Sequence, residues 1–373
     1  MLKRSKRVLV PENIREMSPY VAGKTIAEVE KAYQPDQISK LASNENRLGC
    51  SPNVTAAVKE AMDEIQDYPD PASGNLRAAL AEKLDVSPDN IIVAAGSESV
   101  IANLCRTFFL DHEEGITCSA TFVGFFVQAS VRGIALKKIP PTDEYRFDLQ
   151  RMADVIDEST KMIYIANPNN PTGTYITKTE FEAFMDRVPE DVLVIMDEAY
   201  YEYARDVEDY PDSLNYKFDN VITLRTFSKA YGLAGFRIGY GIAHQDLISH
   251  MMKTKLTFEP TTLAQVAAET ALKDKDFLAR SVQMVAEQKE RLYHFFEEHD
   301  LQYAPSISNS VMMIMESEEE AIEFTQSMLE RGVILRRIHA FGLPNCIRIT
   351  IGTEREMNHF QQSAKEVLNL QTT

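Results

Sequence analysis

The chain has 373 residues, of which 44% are hydrophobic and 25% charged, and its formal net charge is −17. This length accommodates one large domain and a smaller one, while the negative charge argues against nucleic acid or an anionic membrane surface as the main partner. No apolar run approaches the length of a membrane span. The apolar residues 8–10 after the basic N-terminus are too few for a signal peptide.

The cysteines and histidines show no metal-binding pattern. The four cysteines (Cys50, Cys105, Cys118 and Cys346) are scattered and form no CxxC pair, which is typical of thiols in a reducing compartment. The seven histidines form no HxxxH or HExxH pair. We therefore expect a cytoplasmic protein without a metal site.

Apolar runs alternate with helical patterns through the first two thirds of the chain. A short amphipathic segment lies at 26–33, and helices are predicted at 51–65, where Ser51-Pro52 is a typical start, and at 75–84, 97–109 and 177–187. The predicted strands are 91–95, one near 116, 135–139, 162–166, 192–196, 221–224 and 236–242. Continuous apolar strands of this kind predict an α/β fold with a mostly parallel sheet covered by helices on both faces.

The pattern changes after about residue 255. A helical stretch at 262–298 is interrupted near 273–276, strands are predicted at 311–315, 333–337 and 346–351, and helices at 318–330 and 354–368. This order indicates a smaller α+β domain. We therefore predict an N-terminal arm at 1–40 associated with the small domain and the active site, a large domain at 41–255 and a small C-terminal domain at 256–373.

Ligands of such sheets bind at the carboxyl ends of the strands, so the polar residues after each strand are candidates. Gly96-Ser97-Glu98 opens a helix and suits a phosphate, although a simple helix cap has the same pattern. The loop 167–173 carries two prolines that hold its asparagines stiffly, or is an ordinary turn. Asp197 follows five apolar residues and needs a partner, either a core cation or a cationic ring nitrogen. Lys229, after the strand at 221–224, is either an amine nucleophile that forms a Schiff base with an aldehyde or a surface lysine.

Taken in order, these segments resemble the fold-type I pyridoxal-phosphate aminotransferases of classes I and II. Within them, the chain is most similar to the histidinol-phosphate aminotransferase family. The segments that carry the resemblance are 18–20, 40–46, 68–70, 167–173, 197–200, 225–229, 235–237 and 347–353. They run over nearly the whole chain.

The resemblance implies a role for each candidate at the cofactor ring. Lys229 would hold the aldehyde of pyridoxal 5'-phosphate and then move the proton of the substrate. Asp197 would pair with the ring nitrogen, and Asn170 and Tyr200 would bind the ring hydroxyl. Phe122 would stack on the ring, although Phe125 is close enough in sequence to do so instead. The phosphate would be held by Ser97, Glu98 through its backbone, Thr226, Ser228 and Arg237.

The same resemblance implies a homodimer and an anionic substrate. Tyr68 would reach the cofactor phosphate of the second subunit. Arg336 and Arg348 would bind the substrate anion, since a guanidinium fits a carboxylate or a phosphate equally well. The remaining substrate-binding candidates are Tyr20, Asn44 and Asn170.

The implied reaction converts histidinol phosphate and 2-oxoglutarate into imidazole acetol phosphate and glutamate, in histidine biosynthesis. An aromatic amino-acid aminotransferase or a pyridoxal-phosphate-dependent amino-acid phosphate decarboxylase remains as an alternative. Three positions depart from the family pattern: Arg47 and Ala120 replace prolines, and Ser99 stands where an acid is common. Arg47 is either a cation near the entrance that alters substrate choice or a surface substitution.

Overall fold

The computed structural model describes residues 9–19 and 23–370. In chain order its strands are β1 Ser39–Lys40, β2 Ile91–Ala94, β3 Glu114–Cys118, β4 Ala135–Ile139, β5 Thr160–Ala166, β6 Leu193–Asp197, β7 Val221–Thr226, β8 Gly239–Ile242, β9 Gln302–Ala304, β10 Ser310–Ile314, β11 Val333–Ile334, β12 Arg336–Arg337 and β13 Cys346–Thr350. The α-helices are α1 Glu12–Arg15, α2 Ile26–Tyr33, α3 Pro52–Glu60, α4 Gly74–Leu84, α5 Ser97–Phe108, α6 Val123–Arg132, α7 Leu149–Asp154, α8 Lys178–Met185, α9 Tyr201–Ala204, α10 Gln245–Thr254, α11 Thr262–Lys273, α12 Lys275–Glu298, α13 Glu318–Glu330 and α14 Glu354–Val367.

A seven-stranded sheet in the order β2-β8-β7-β6-β5-β3-β4 forms the larger layer. Only β8 is antiparallel to its neighbours; the other pairs are parallel. Alternate residues of β2 enter different cores: Ile92 and Ala94 face one hydrophobic cluster, and Ile91 and Val93 the other. The predicted α/β fold, with helices on both faces of a mostly parallel sheet, is confirmed.

The smaller, antiparallel sheet has the order β12-β13-β10-β9. Its apolar face packs with α12, α13 and α14. The single strand predicted at 333–337 is instead two short strands in different sheets, because β11 pairs with β1 while β12 pairs with β13. Through its pairing with β11, the segment at 39–40 is joined to the part of the chain that forms the smaller sheet.

The predicted interruption of the long helix occurs at Asp274, whose side chain caps α12 by accepting a hydrogen bond from the N–H of Phe277. The buried alanines of α11, including Ala264 and Ala268, pack in the cluster that also contains Leu76 of α4 and Val93 of β2. Helix α11 therefore packs beside the larger sheet, although it follows residue 255. Within residues 9–19 and 23–370, none of the helices is long and apolar enough to cross a bilayer.

Candidate active site

A cavity of about 350 Å³, here called the first cavity, lies where the parallel strands end. Asp197 is the last residue of β6 and Thr226 the last of β7, and the loop 167–173 follows β5. Because these strands are parallel neighbours, their carboxyl ends meet at one edge of the sheet. The first cavity is lined by all the predicted cofactor residues except Tyr68, namely Ser97, Glu98, Phe122, Asn170, Asp197, Tyr200, Thr226, Ser228, Lys229 and Arg237.

The reversed direction of β8 builds the cationic end of the first cavity. Gly239, the first residue of β8, is in register with both Ala94 of β2 and Thr226 of β7. Arg237 precedes it, so its guanidinium lies beside the start of α5; a Cβ added to Gly96 would come within 3.0 Å of Arg237 Nη2. A helix N-terminus and a guanidinium together suit a phosphate.

Two hydroxyl groups complete this end. Thr226 Oγ1 donates to Ser228 Oγ at 3.1 Å and accepts from the Ser228 N–H at 3.1 Å. Both side chains are buried at the cavity wall. Hydroxyls, backbone N–H groups and a guanidinium are the groups that bind phosphate oxygens.

Asp197 lies at the wall of the first cavity and is 4% exposed. Its carboxylate accepts hydrogen bonds from Tyr164 Oη at 2.6 Å and from the Ala199 N–H at 3.2 Å. Burial raises the pKa of Asp197, while these two donors and the charge of Lys229 act in the opposite direction. Tyr164 was missed by the sequence reasoning, although it carries the single polar side-chain tip on the predicted strand 162–166.

The asparagines of the loop 167–173 divide into two groups. The side chains of Asn167 and Asn169 fasten the loop: the first accepts from the Ile176 N–H at 2.9 Å, and the second donates to the Ala120 carbonyl at 2.9 Å. Asn170 instead lines the cavity. The loop is therefore held rigidly while one amide remains directed at the site.

The structure distinguishes the two aromatic candidates. Phe122 lines the first cavity. Phe125 is fully buried and stacks on Tyr164, with ring centroids 4.6 Å apart and an interplanar angle of 7°. Phe122 is therefore the aromatic side chain positioned to cover a ring in the cavity, and Phe125 supports Tyr164 from behind.

A second cavity of about 430 Å³ adjoins the first and shares Phe122, Asn170, Tyr200 and Lys229 with it. Arg336 and Arg348 line this second cavity. They are register partners on the antiparallel strands β12 and β13, so their side chains leave the same face of the sheet. Arg348 also donates to Asn170 Oδ1 and, at 2.7 Å, to the Ala42 carbonyl.

Asn44 lines the second cavity but is also a buried support for Tyr200. Its Nδ2 donates to Tyr200 Oη at 2.9 Å and to Ser310 Oγ at 3.1 Å, and its Oδ1 accepts from Thr350 Oγ1 at 3.0 Å. Ser310 and Thr350 belong to the smaller sheet, so Asn44 joins that sheet to Tyr200. The other predicted pocket residue, Tyr20, lies outside the described residues.

Tyr68 lies away from both cavities of its own chain. Its side chain is 80% exposed and stacks on Phe258, with ring centroids 4.2 Å apart. Nearby, Ser99 donates to the carboxylate of Glu259, the residue that follows Phe258. An acid therefore lies in space near the turn at 96–99, where the family pattern has one in sequence.

Sequence reasoning gave Arg225 no role, yet it forms a buried charge cluster behind Asp197. Its guanidinium donates to Glu198 Oε2 at 3.0 and 2.7 Å and to Asp212 at 2.7 Å, and it covers the Tyr201 ring at 3.3 Å. Burial raises the pKa of Glu198, and the charge of Arg225 opposes that change. Glu198 is thus a paired core acid, whereas Asp197 forms no salt bridge within the described residues.

Arg47 is held by carboxylates. Arg47 Nε donates to Glu356 Oε1 at 2.8 Å, and Nη2 lies 2.7 Å from the same oxygen. Glu45, which lines the first cavity, lies 3.9 Å from Arg47 Nη1. The interpretation as a simple surface substitution is therefore incomplete, because Arg47 connects the segment at 44–47 to the start of α14.

The part of the chain that the structure describes contains no group of three or more His, Cys, Asp or Glu residues that could hold a metal ion.

Residues 36–363 match the family model described as aminotransferase class I and II. Histidinol-phosphate aminotransferase 2 of Carboxydothermus hydrogenoformans is 42% identical over 365 residues, covering 97% of this chain and 100% of that protein. The histidinol-phosphate aminotransferase of Geobacillus thermodenitrificans is 39% identical over 361 residues, covering 96% and 98%.

Among solved structures, histidinol-phosphate aminotransferase from Sinorhizobium meliloti in complex with pyridoxal-5'-phosphate superimposes with a TM-score of 0.89 and 27% identity, over 98% of this chain and 99% of that chain. Aspartate aminotransferase from Thermus thermophilus, with a TM-score of 0.82 and 22% identity, shares the fold. The family predicted from the sequence is confirmed: this chain belongs to the histidinol-phosphate aminotransferases, within the aminotransferases of classes I and II.

Proposed function

We propose that this chain transfers the amino group of histidinol phosphate to 2-oxoglutarate, with pyridoxal 5'-phosphate as cofactor. The observation that carries the proposal is the register of Arg336 and Arg348, which places two guanidiniums on one face of a sheet, at a cavity that also contains Lys229. Two guanidiniums on one face make this part of the cavity wall cationic, which suits an anionic substrate. Histidinol phosphate presents a phosphate and glutamate presents carboxylates, so one arginine pair serves both halves of the reaction.

The residues of the first cavity fit the cofactor. The start of α5, Thr226, Ser228 and Arg237 would hold its phosphate, Phe122 would cover its ring, and Lys229 would hold its aldehyde. When bound, pyridoxal phosphate supplies an aldehyde that condenses with amines and a ring that accepts negative charge from the substrate's α-carbon. Asp197, buried without a salt bridge among the described residues, is the carboxylate that a cationic ring nitrogen would compensate.

Other side chains and backbone groups of the chain would orient Asp197, move the substrate proton and bind the ring hydroxyl. Tyr164 and the Ala199 N–H hold the Asp197 carboxylate in one orientation. Lys229 Nζ, which lies 5.5 Å from the centroid of the Tyr200 ring, would carry the substrate proton once the substrate amine displaces it. Because Asn44 donates to Tyr200 Oη, the Tyr200 hydroxyl proton is directed elsewhere, and the cofactor's ring hydroxyl, together with Asn170, is its proposed partner.

The active unit would be a homodimer. The exposed stack of Tyr68 on Phe258 is the proposed contact with the second subunit's cofactor phosphate. We also propose an arm at 1–40, a large domain and a small C-terminal domain. The packing of α11 beside the larger sheet favours a boundary between the two domains within α12 rather than at residue 255. A cytoplasmic location stays a prediction from the scattered cysteines.

The test is a panel of amino donors. Purified protein loaded with pyridoxal phosphate is mixed with histidinol phosphate, phenylalanine or tyrosine, and glutamate formation from 2-oxoglutarate is measured. We expect the largest kcat/KM with histidinol phosphate. Turnover with the aromatic amino acids alone would identify an aromatic aminotransferase, and release of carbon dioxide from an amino-acid phosphate without a keto acid would identify a decarboxylase.

A further inference from the structure

Helix α6 begins with an unusual choice of residue. Its N-cap is Phe122, which makes no capping hydrogen bond. Serine, threonine, asparagine or aspartate at this position would satisfy an otherwise unpaired helix N–H, and an aromatic ring does not. Phe122 is therefore unfavourable for the helix itself, and its ring lines both cavities.

The second residue of the same helix, Gly124, is also a weak helix former. Its φ lies outside the left-handed range, so the backbone does not require glycine. A Cβ added to Gly124 would lie 2.3 Å from Cε1, 2.7 Å from Cζ and 3.1 Å from Cδ1 of the Phe122 ring. Carbon atoms that are not bonded to each other pack at about 3.5–4.0 Å, so any side chain at 124 would displace the ring.

We infer that Gly124 is a positioning residue: the absence of its side chain lets the Phe122 ring lie at the wall between the first and second cavities. The inference rests on the proposed function, because that wall is where Phe122 would cover the ring of pyridoxal phosphate. The contact between these two positions explains both residues that are unfavourable for the helix, the aromatic N-cap Phe122 and Gly124 in the first turn.

The first variant is Gly124→Ala. A displaced ring loses its stacking contact, so the dissociation constant of pyridoxal phosphate, measured by titrating cofactor-free protein, should rise about three- to tenfold. The thermal unfolding midpoint of the cofactor-free protein should be unchanged or higher, because alanine favours a helix over glycine. If the variant does not fold, Phe122→Leu should rescue it, and failure of that rescue would overturn the inference.

The matched control is the same change in a Phe122→Leu background, where no ring occupies the site of the clash. There Gly124→Ala should leave the dissociation constant unchanged. An equal rise in both backgrounds, or no rise in either, would contradict the inference.

Gly124 also lines the second cavity, so the substrate is measured separately. A higher KM for histidinol phosphate in both backgrounds, with unchanged cofactor binding, would show that glycine makes room for substrate and would overturn the inference. Wild-type protein that binds no pyridoxal phosphate would overturn the proposed function as well, whereas normal wild-type binding and an unaffected Gly124→Ala variant would overturn this inference alone.

Discussion

The first and second cavities share a wall but are built differently. The polar groups of the first cavity come chiefly from the exits of neighbouring strands of one sheet, as Asp197 and Thr226 show. The second takes Arg336 and Arg348 from the smaller sheet and Asn44 from the segment before α3. The first therefore depends on one continuous sheet, and the second on how two sheets pack together.

The two cavities also differ in the charges of the groups that line them. The first cavity has a buried carboxylate at one end and a guanidinium with a helix N-terminus at the other, which suits a molecule with a cationic ring and an anionic tail. The second has two guanidiniums side by side. Changes to the residues found only in the first cavity should thus affect cofactor binding, and changes to the two arginines of the second cavity should affect the binding of anionic substrates.

Lys229 lies in both cavities, so its removal should have the largest effect. Lys229→Ala should keep the fold but lose turnover by about 10⁴-fold or more, because no amine remains to hold the aldehyde and move the proton. Steady-state kinetics and circular dichroism measure the two properties. Retained transamination by this variant would refute the proposed mechanism.

Breaking the buried cluster behind the first cavity should come next. Arg225→Leu leaves Glu198 buried without its cation, so the free energy of unfolding in urea should fall by about 3–5 kcal/mol. The pKa of Glu198, already raised by burial, would rise further. Folded protein would then bind a proton that unfolded protein does not, and stability should fall as pH rises from about 4.5.

The double variant Arg225→Leu with Glu198→Gln serves as the control for this cluster. It removes both charges and should recover part of the lost stability, with a weaker dependence on pH. A double variant as unstable as Arg225→Leu at every pH would show that packing, rather than the uncompensated Glu198 charge, causes the loss.

The arginine pair tests the second cavity. Arg336→Gln should lower kcat/KM for histidinol phosphate by about 10- to 100-fold through loss of a charged hydrogen bond, with unchanged affinity for pyridoxal phosphate. Arg337→Gln is the matched control, because the next residue of β12 faces the other side of the sheet and pairs with Glu318 at 2.7 Å. Equal losses in both variants would contradict the assignment.

Tyr164→Phe should have a smaller effect, confined to the first cavity. Loss of the donor to Asp197 should weaken cofactor binding about five- to tenfold. Without this donor the pKa of Asp197 would rise further. When the pH is lowered, the variant should therefore lose its affinity for pyridoxal phosphate at a higher pH than the wild type does. Tyr175→Phe, whose hydroxyl bonds to Asp209 instead, should leave the titration unchanged.

Arg47→Ala should have the smallest effect. The pair with Glu356 is partly exposed, with side chains 23% and 11% accessible, so the free energy of unfolding should fall by about 1 kcal/mol or less. KM for histidinol phosphate should stay constant because carboxylates already hold the guanidinium. A clear rise in KM would place Arg47 at the substrate entrance.

Much of the first cavity was predictable because Ser97, Asp197 and Lys229 each come after an apolar strand in the sequence. The strands at 91–94, 193–197 and 221–226 lie within a residue or two of their predicted bounds, and a parallel sheet brings their ends together. Phe122 and Phe125 could not be told apart, since three residues along one helix do not reveal which ring enters the cavity and which packs beneath it.

Contacts between segments that are far apart in the sequence could not be predicted from local patterns. Nothing around Arg225 specifies that Glu198 and Asp212 will surround it, and Ser99 gives no indication of Glu259. The split of 333–337 into two strands also depends on partners far away, at 39–40 and 347–348. Such pairings are set by how the two sheets pack, and a residue's neighbours in sequence carry little of that information.

The reversed strand β8 has a consequence for how the protein is made. Within the described residues β8 is the only strand beside β2, the edge strand that leads into α5. A nascent chain that ends before residue 239 therefore contains Ser97 and Lys229 but has no strand to join β2 to β7. Pairings between segments so far apart form slowly, because a long loop must close first. The end of the first cavity at Ser97 and Arg237 should consequently form after β6, which carries Asp197, and β7, which precedes Lys229.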